Sequence, residues 1–268
     1  MSPARRLLPI LVVLLGAGCA RLLPSPEPPA PPPGIPWTSR MVERQDGVCG
    51  RDGGCARVQI VWPVVAGGDD TRSAAIDAEV LALLLKPWPD GPSAASPEAL
   101  ADASIAEWRR FREEYPDATG DWQVRRSIRV LFETPTVLTL GLENVGETGP
   151  EHTFEALRYR LLRPATGARL AIGDLLIDGG TGQLAALAEQ AFRATRGVAP
   201  GTSLAAAGFT FPDDRFALPD DVGVLREGVA VHWDAAAIAP YASGATDLLL
   251  SWSAVQPLLR EDSALPPR

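Results

Sequence analysis

Hydrophobic and polar positions change period several times along this chain. Residues 58–62, Val-Gln-Ile-Val-Trp, read as a strand stopped by Pro63 and Gly67-Gly68. Over 73–84, Ile76, Val80, Leu83 and Leu84 fall on one side of a helix. A second helix is signalled by Ser96 at the N-cap, Pro97 in the first turn and Glu98 beside it. Its stripe runs through Leu100, Ser104, Trp108, Phe111 and Tyr115, and Pro116 ends it. After Gly120 the period drops to two. Trp122, Val124, Ile128, Val130 and Phe132 alternate with Gln123, Arg125, Ser127 and Arg129, as in a half-buried strand. Further strands are expected at 137–143 and 153–162, joined by short turns, so the sheet should be antiparallel. Leu184, Leu187, Ala188, Ala191 and Phe192 mark an amphipathic helix ended by Gly197. Short strands are then expected around Phe209 and Phe216, at 222–226, at 229–233 and at 248–252. Helices and strands in separate runs predict an α+β fold, antiparallel sheets with amphipathic helices on them.

The residues ahead of this region change the picture. Arg5-Arg6 precede an apolar run at 7–15, and small residues lead to Cys19. That is the order of a secretory signal, and the run falls short of the roughly 20 residues a bilayer span needs. Leu15-Gly16-Ala17-Gly18-Cys19 resembles a bacterial lipoprotein signal, which implies cleavage before Cys19 and its acylation. Ala20 in place of Asp implies delivery to the periplasmic face of the outer membrane. Residues 24–36 hold eight prolines in thirteen positions, a polyproline II spacer of about 40 Å. The expected organisation is a signal at 1–18, an anchor and linker at 19–47, subdomains at 48–145 and 146–260, and a tail at 261–268.

An exported chain permits a disulfide, and Cys49 and Cys55 in "CGRDGGC" are spaced to close a tight loop. A zinc site would need four ligands, and no second Cys or His pair lies nearby. The net charge of −8, more acidic once Arg5 and Arg6 leave with the signal, argues against nucleic acid. No Gly-x-Ser-x-Gly, Ser-x-x-Lys or phosphate-cradling glycine motif occurs. Asp213-Asp214 and Asp220-Asp221 sit beside prolines and read as solvated turns. His152, at the start of a strand, reads as a ligand contact or as a strand end bonded to backbone. His232 alternates with Val231 and Trp233 and reads as surface. Pro240, Tyr241 and Gly244 read either as a corner between strands or as a site with Tyr241 on a cleft wall. The chain is expected to be no enzyme and to need no cofactor or metal.

Gly149-Pro150-Glu151-His152, Thr166-Gly167, Gly173-Asp174-Leu175-Leu176 and Ile238-Ala239-Pro240-Tyr241-Ala242-Ser243-Gly244 carry a family resemblance. Residues 152–259 resemble the RsiV/PdaC-type extracytoplasmic domain of unknown function. It occurs in lysozyme-sensing anti-sigma factors and beside peptidoglycan deacetylase domains. The "VWPVV" strand and the helix after it resemble the companion N-terminal subdomain. The resemblance implies a lone module on a lipid anchor that binds a cell-wall glycan or a wall-acting, lysozyme-like protein. A peptidoglycan-modifying enzyme and a passive structural lipoprotein are the alternatives. Mass spectrometry of the mature N-terminus should find diacylglyceryl-modified, acylated Cys19, and an unmodified N-terminus elsewhere defeats the anchor.

Overall fold

The computed structural model describes residues 34–265 other than 51–53, 69, 88–92, 119, 150–152 and 221. The signal segment, Cys19, most of the linker and His152 lie outside the described residues. The first sheet is made of β1 (Trp37–Gly47), β2 (Cys55–Val65), β3 (Trp122–Glu133), β4 (Leu138–Thr148), β5 (Thr153–Leu162) and β6 (Arg169–Leu170), in that order across the sheet. Helices α1 (Thr71–Leu84) and α2 (Pro97–Glu114) connect β2 to β3. That connection is long enough to return the chain to the same end, so β2 and β3 pair in parallel while the other neighbours are antiparallel. The second sheet is β7 (Val222–Val224), β8 (Gly228–Trp233) and β9 (Thr246–Ser251), with α3 (Gly180–Arg196) packed on it. The α+β class is as expected, with one parallel pair inside it.

Both connecting helices start where their caps dictate. The Asp70 carboxylate accepts the Ser73 N–H at 2.7 Å, and Ser96 Oγ accepts the Ala99 N–H at 3.1 Å. Ile76, Val80, Leu83 and Leu84 of α1 are fully buried on the inner face of the first sheet. Helix α2 buries Leu100, Ala101, Ile105 and Trp108, whereas Tyr115, expected on its stripe, is exposed. Helix α3 inserts Phe192 among Phe209, Phe211, Phe216 and Trp233, ring centroids 4.9–5.9 Å apart. Phe209 and Phe216 therefore belong to irregular segments that deliver aromatic rings, not to the short strands expected there.

Three further departures have physical causes. Trp37–Gly47, placed in the linker by composition, is the edge strand β1, and the end of the proline run docks beneath it. Ile35 is buried and donates its N–H to Glu133 Oε1 at 2.9 Å. Strand β1 was hidden because most of its positions are exposed and only Val42 is buried, as suits an edge. Second, a bulge between Val130 and Phe132 shifts the register, so Phe132 pairs with Thr139. A one-residue slip exchanges faces. Phe132 thus leaves the face of Trp122 and Val124 and joins Val137, Leu161 and Val224 between the two sheets. Third, β4 and β5 pair across the boundary expected at 145/146.

The sheets meet on the outer face of β5. The Tyr159 ring occupies the space a side chain would need at Gly223, 2.8 Å from that Cβ position, and Thr139 Oγ1 donates to the Val224 carbonyl at 2.6 Å. At the β1–β2 hairpin, Cys49 and Cys55 are disulfide-bonded with Cα atoms 4.7 Å apart. Asp121 braces the loop, accepting the N–H groups of Gly50 and Cys55 at 3.0 Å each. Cys49, Cys55 and Asp121 are also close enough to hold a metal, but the two thiolates such a site needs are bonded to each other. Thiol titration of the unfolded, unreduced protein should find neither cysteine free. Replacing both by Ala should cost about 2 kcal/mol in denaturant unfolding. Two free thiols contradict the bridge.

Candidate functional site

The strand registers write the floor of a cleft. Parallel and antiparallel partners on one face line up as Ile60, Arg126, Asn144 and Ala156, then Val58, Val124, Gly146 and Phe154, then Ala56, Trp122 and Thr148. Helix α2 packs chiefly over β1 and β2, with the Phe111 ring reaching Trp122 of β3, and part of the inner face of β3 to β5 is left open beside it. The resulting cavity is about 690 Å³. Leu100, Ser104 and Glu107 of α2 form one wall, and residues 234–237 with Tyr241 form the other. The Phe154 ring lies across Gly146, its Cζ 2.5 Å from where a Cβ would stand, so only glycine leaves room for it.

Of the floor rows, the deep one carries two polar side chains side by side. Arg126 and Asn144 are directly paired across β3 and β4 and are 5% and 6% exposed. The Arg126 guanidinium donates to the Lys86 carbonyl. Burial lowers its pKa to about 10. Burial also raises the Glu107 pKa, partly offset by Arg110. The sequence did carry a signal for Arg126. It stands in phase with Val124 and Ile128, a charge inside an apolar stripe, but the alternation was read around it.

The far wall is held by the edge of β5. Among the described residues that edge has no partner strand before Leu161. Asp234 Oδ1 accepts the Leu157 N–H at 2.9 Å, and Tyr241 donates its hydroxyl to the Thr153 carbonyl at 2.6 Å. Asp234 also pairs with Arg158. Pro240 ends pairing, a single 3-10 turn spans Tyr241–Ser243, and Gly244 at φ 70° returns the chain to β9. Tyr241 is therefore a corner residue bonded to backbone, although the carbonyl belongs to β5 and not to the turn. Its ring is nonetheless 58% exposed on the cleft wall. The corner geometry is met, and the ring stands where the other reading would need it.

His232 is not plain surface. Its side chain does point away from Val231 and Trp233, but it is only 7% exposed. Nδ1 meets Asp247 Oδ1 at 2.7 Å and Nε2 meets Asp234 Oδ1 at 2.8 Å. Asp247 is its direct partner across β8 and β9. Asp213 and Asp214 are turn residues as expected, with Asp214 Oδ1 accepting the Ala205 N–H at 2.7 Å.

With this geometry in place, comparison with known proteins is informative. Residues 173–253 match the family model described as a protein of unknown function (DUF3298). The match covers α3, the second sheet and the Tyr241 corner; the cleft floor lies outside it. A DUF3298-family crystal structure from Bacteroides fragilis is similar over 85% of this chain and 94% of that one, with 15% identity and a TM-score of 0.62. Another from Pseudomonas aeruginosa is similar over 87% of this chain and 98% of that one, with 18% identity and a TM-score of 0.61. At these identities the likeness establishes a shared fold. No curated protein matches the chain. Among the described residues no helix is long and apolar enough to cross a membrane.

The His232 cluster generates a pH dependence. Burial alone would lower the His232 pKa, but hydrogen bonds and charge from Asp234 and Asp247 outweigh it, and the net shift is upward. A pKa raised on folding contributes stability that is fully present below the unfolded value and is lost as pH rises through the folded value. Asp234, shifted downward against its own desolvation by His232, the Leu157 N–H and Arg158, acts only in acid. Denaturant unfolding should therefore show stability declining from about pH 6.5 upward. His232→Gln should flatten that decline, and an unchanged slope refutes the assignment.

Proposed function

We propose that the chain is a lipid-anchored envelope protein whose domain binds, without catalysis, a cell-wall component or a cationic wall-acting protein of the lysozyme type. The cleft carries this reading: an apolar floor, few polar groups and an exposed aromatic ring held rigidly at the mouth are features of a binding site. The Tyr241 ring suits stacking on a sugar or a partner side chain. The net charge of −8 favours encounter with a cationic protein. The resemblance of residues 152–259 to the RsiV/PdaC-type domain points the same way. Against hydrolase or transferase chemistry, both ring nitrogens of His232 are engaged by carboxylates, so that histidine is no general base.

Binding to purified peptidoglycan sacculi and to lysozyme tests the proposal. Saturable binding to at least one is expected. Tyr241→Ala should weaken it tenfold or more. Tyr241→Phe should keep binding while losing about 1 kcal/mol of stability with the Thr153 bond. Binding to neither overturns the reading, and binding indifferent to Tyr241→Ala removes the cleft from it.

A further inference from the structure

The Asn144 amide is a side chain with nothing to do for the fold. It is 6% exposed, lies on the cleft floor, and among the described residues forms no hydrogen bond. The amide faces the cleft, so a polar group of a bound molecule could complete its hydrogen bonds. Its cross-strand neighbour Arg126 brings a desolvated positive charge to the same spot. From there the floor runs along β3 to Trp122, about 13 Å of strand, over Val58, Val124 and Phe154. Depth decreases along this path: Arg126 and Asn144 are buried, while Val124, Trp122 and Phe154 are half-buried. The deep end of the cleft floor is thus polar and carries the Arg126 charge, and the floor beyond it is apolar up to the mouth at Tyr241, with Glu107 on the α2 wall.

We propose that this cleft takes a ligand with a single carboxylate on an apolar body, the carboxylate against Asn144 and Arg126 and the body along Val58, Val124 and Phe154. The carboxylate accepts from the Asn144 NH2 and from the guanidinium, which keeps its bond to Lys86. A charge-assisted pair in a dry site is strong and geometrically selective. The proposal rests on reading the cleft as a binding site and names the ligand class. Two sources share this chemistry, a fatty acid and the carboxy terminus of a small apolar peptide.

Calorimetric titration of the full chain tests it with oleate, oleyl alcohol, acetyl-D-alanyl-D-alanine and the amide of that dipeptide. At least one acid should bind saturably at one site, its neutral counterpart at least tenfold more weakly. Preference for oleate assigns a lipid source, and preference for the dipeptide acid assigns a peptide source. Asn144→Asp supplies an internal carboxylate beside Arg126 and should weaken acid binding at least tenfold. Ala156→Trp fills the deep row and should abolish it. Circular dichroism confirms that each variant is folded, and Asn144→Asp alone decides the matter if Ala156→Trp is not. Equal binding of neutral counterparts, no saturable binding, or binding that survives in the folded variants overturns the proposal. If sacculi or lysozyme still bind while neither acid does, only the ligand class falls. If none of the four probes, sacculi or lysozyme binds, the broader reading falls with it.

Discussion

The outward edge of β5 is the constraint on which the rest depends. A strand edge presents N–H and C=O groups that must be satisfied or screened, and bare edges invite pairing with other chains. Here β6 pairs only with Leu161 and Leu162, and side chains of one loop serve part of the remaining edge. Asp234 takes the Leu157 N–H and Tyr241 gives to the Thr153 carbonyl. Thr153 and Leu157 have the same parity, so both groups point away from β4. The loop therefore runs along β5 as a strand would, but bonds through side chains, which leaves it standing off as a wall. A seventh strand would have extended the sheet. A side-chain latch makes a cleft.

That latch also joins the two sheets. Asp234 follows β8, and His232 within β8 binds it while reaching across to Asp247 of β9. Arg158 on the inner face of β5 completes the charge balance around the carboxylate. Burying Asp234 without these partners would be costly, since an ion removed from water needs hydrogen bonds and countercharge together. Elsewhere the sheets meet through Tyr159, packed where Gly223 has no side chain, and through the Thr139–Val224 hydrogen bond. Directional bonds and apolar packing together fix the sheets in orientation as well as proximity.

Much of this fold is legible in the sequence, and the unread parts have identifiable causes. Helices α1 and α2 follow from caps and apolar spacing, and β5 from alternation bounded by turns. Strand β1 escaped because an edge strand keeps few apolar positions, and Val42 is its buried one. The displacement of Phe132 escaped because a bulge breaks the very alternation used to place it. The parallel pairing of β2 with β3 depends on where two helices return the chain, which local pattern does not encode. Of the site, Tyr241 was visible through the proline and glycine that flank it. Arg126 and Asn144 were not singled out, because their meaning lies in the pairing of β3 with β4. The Cys49–Cys55 bridge was readable from its spacing and from the signal-like pattern of residues 1–19.

The contrast between corner and site at Tyr241 dissolves on physical grounds. A ring that stacks on a ligand gains most when its orientation is set beforehand, because ordering a free side chain on binding offsets part of the contact. The bond to Thr153 sets that orientation by tying the hydroxyl to a strand rather than to a mobile neighbour. Pro240 and Gly244 fix the backbone on either side, one by its ring and the other by a φ of 70°. The features that end pairing at the corner are therefore the same ones that hold an exposed aromatic face still. Asn144 and Arg126 show the complementary arrangement at the deep end, where rigid strands hold two polar groups side by side in an apolar floor. A ligand of the proposed kind would meet fixed groups at both ends, so its length and the position of its charge would both matter.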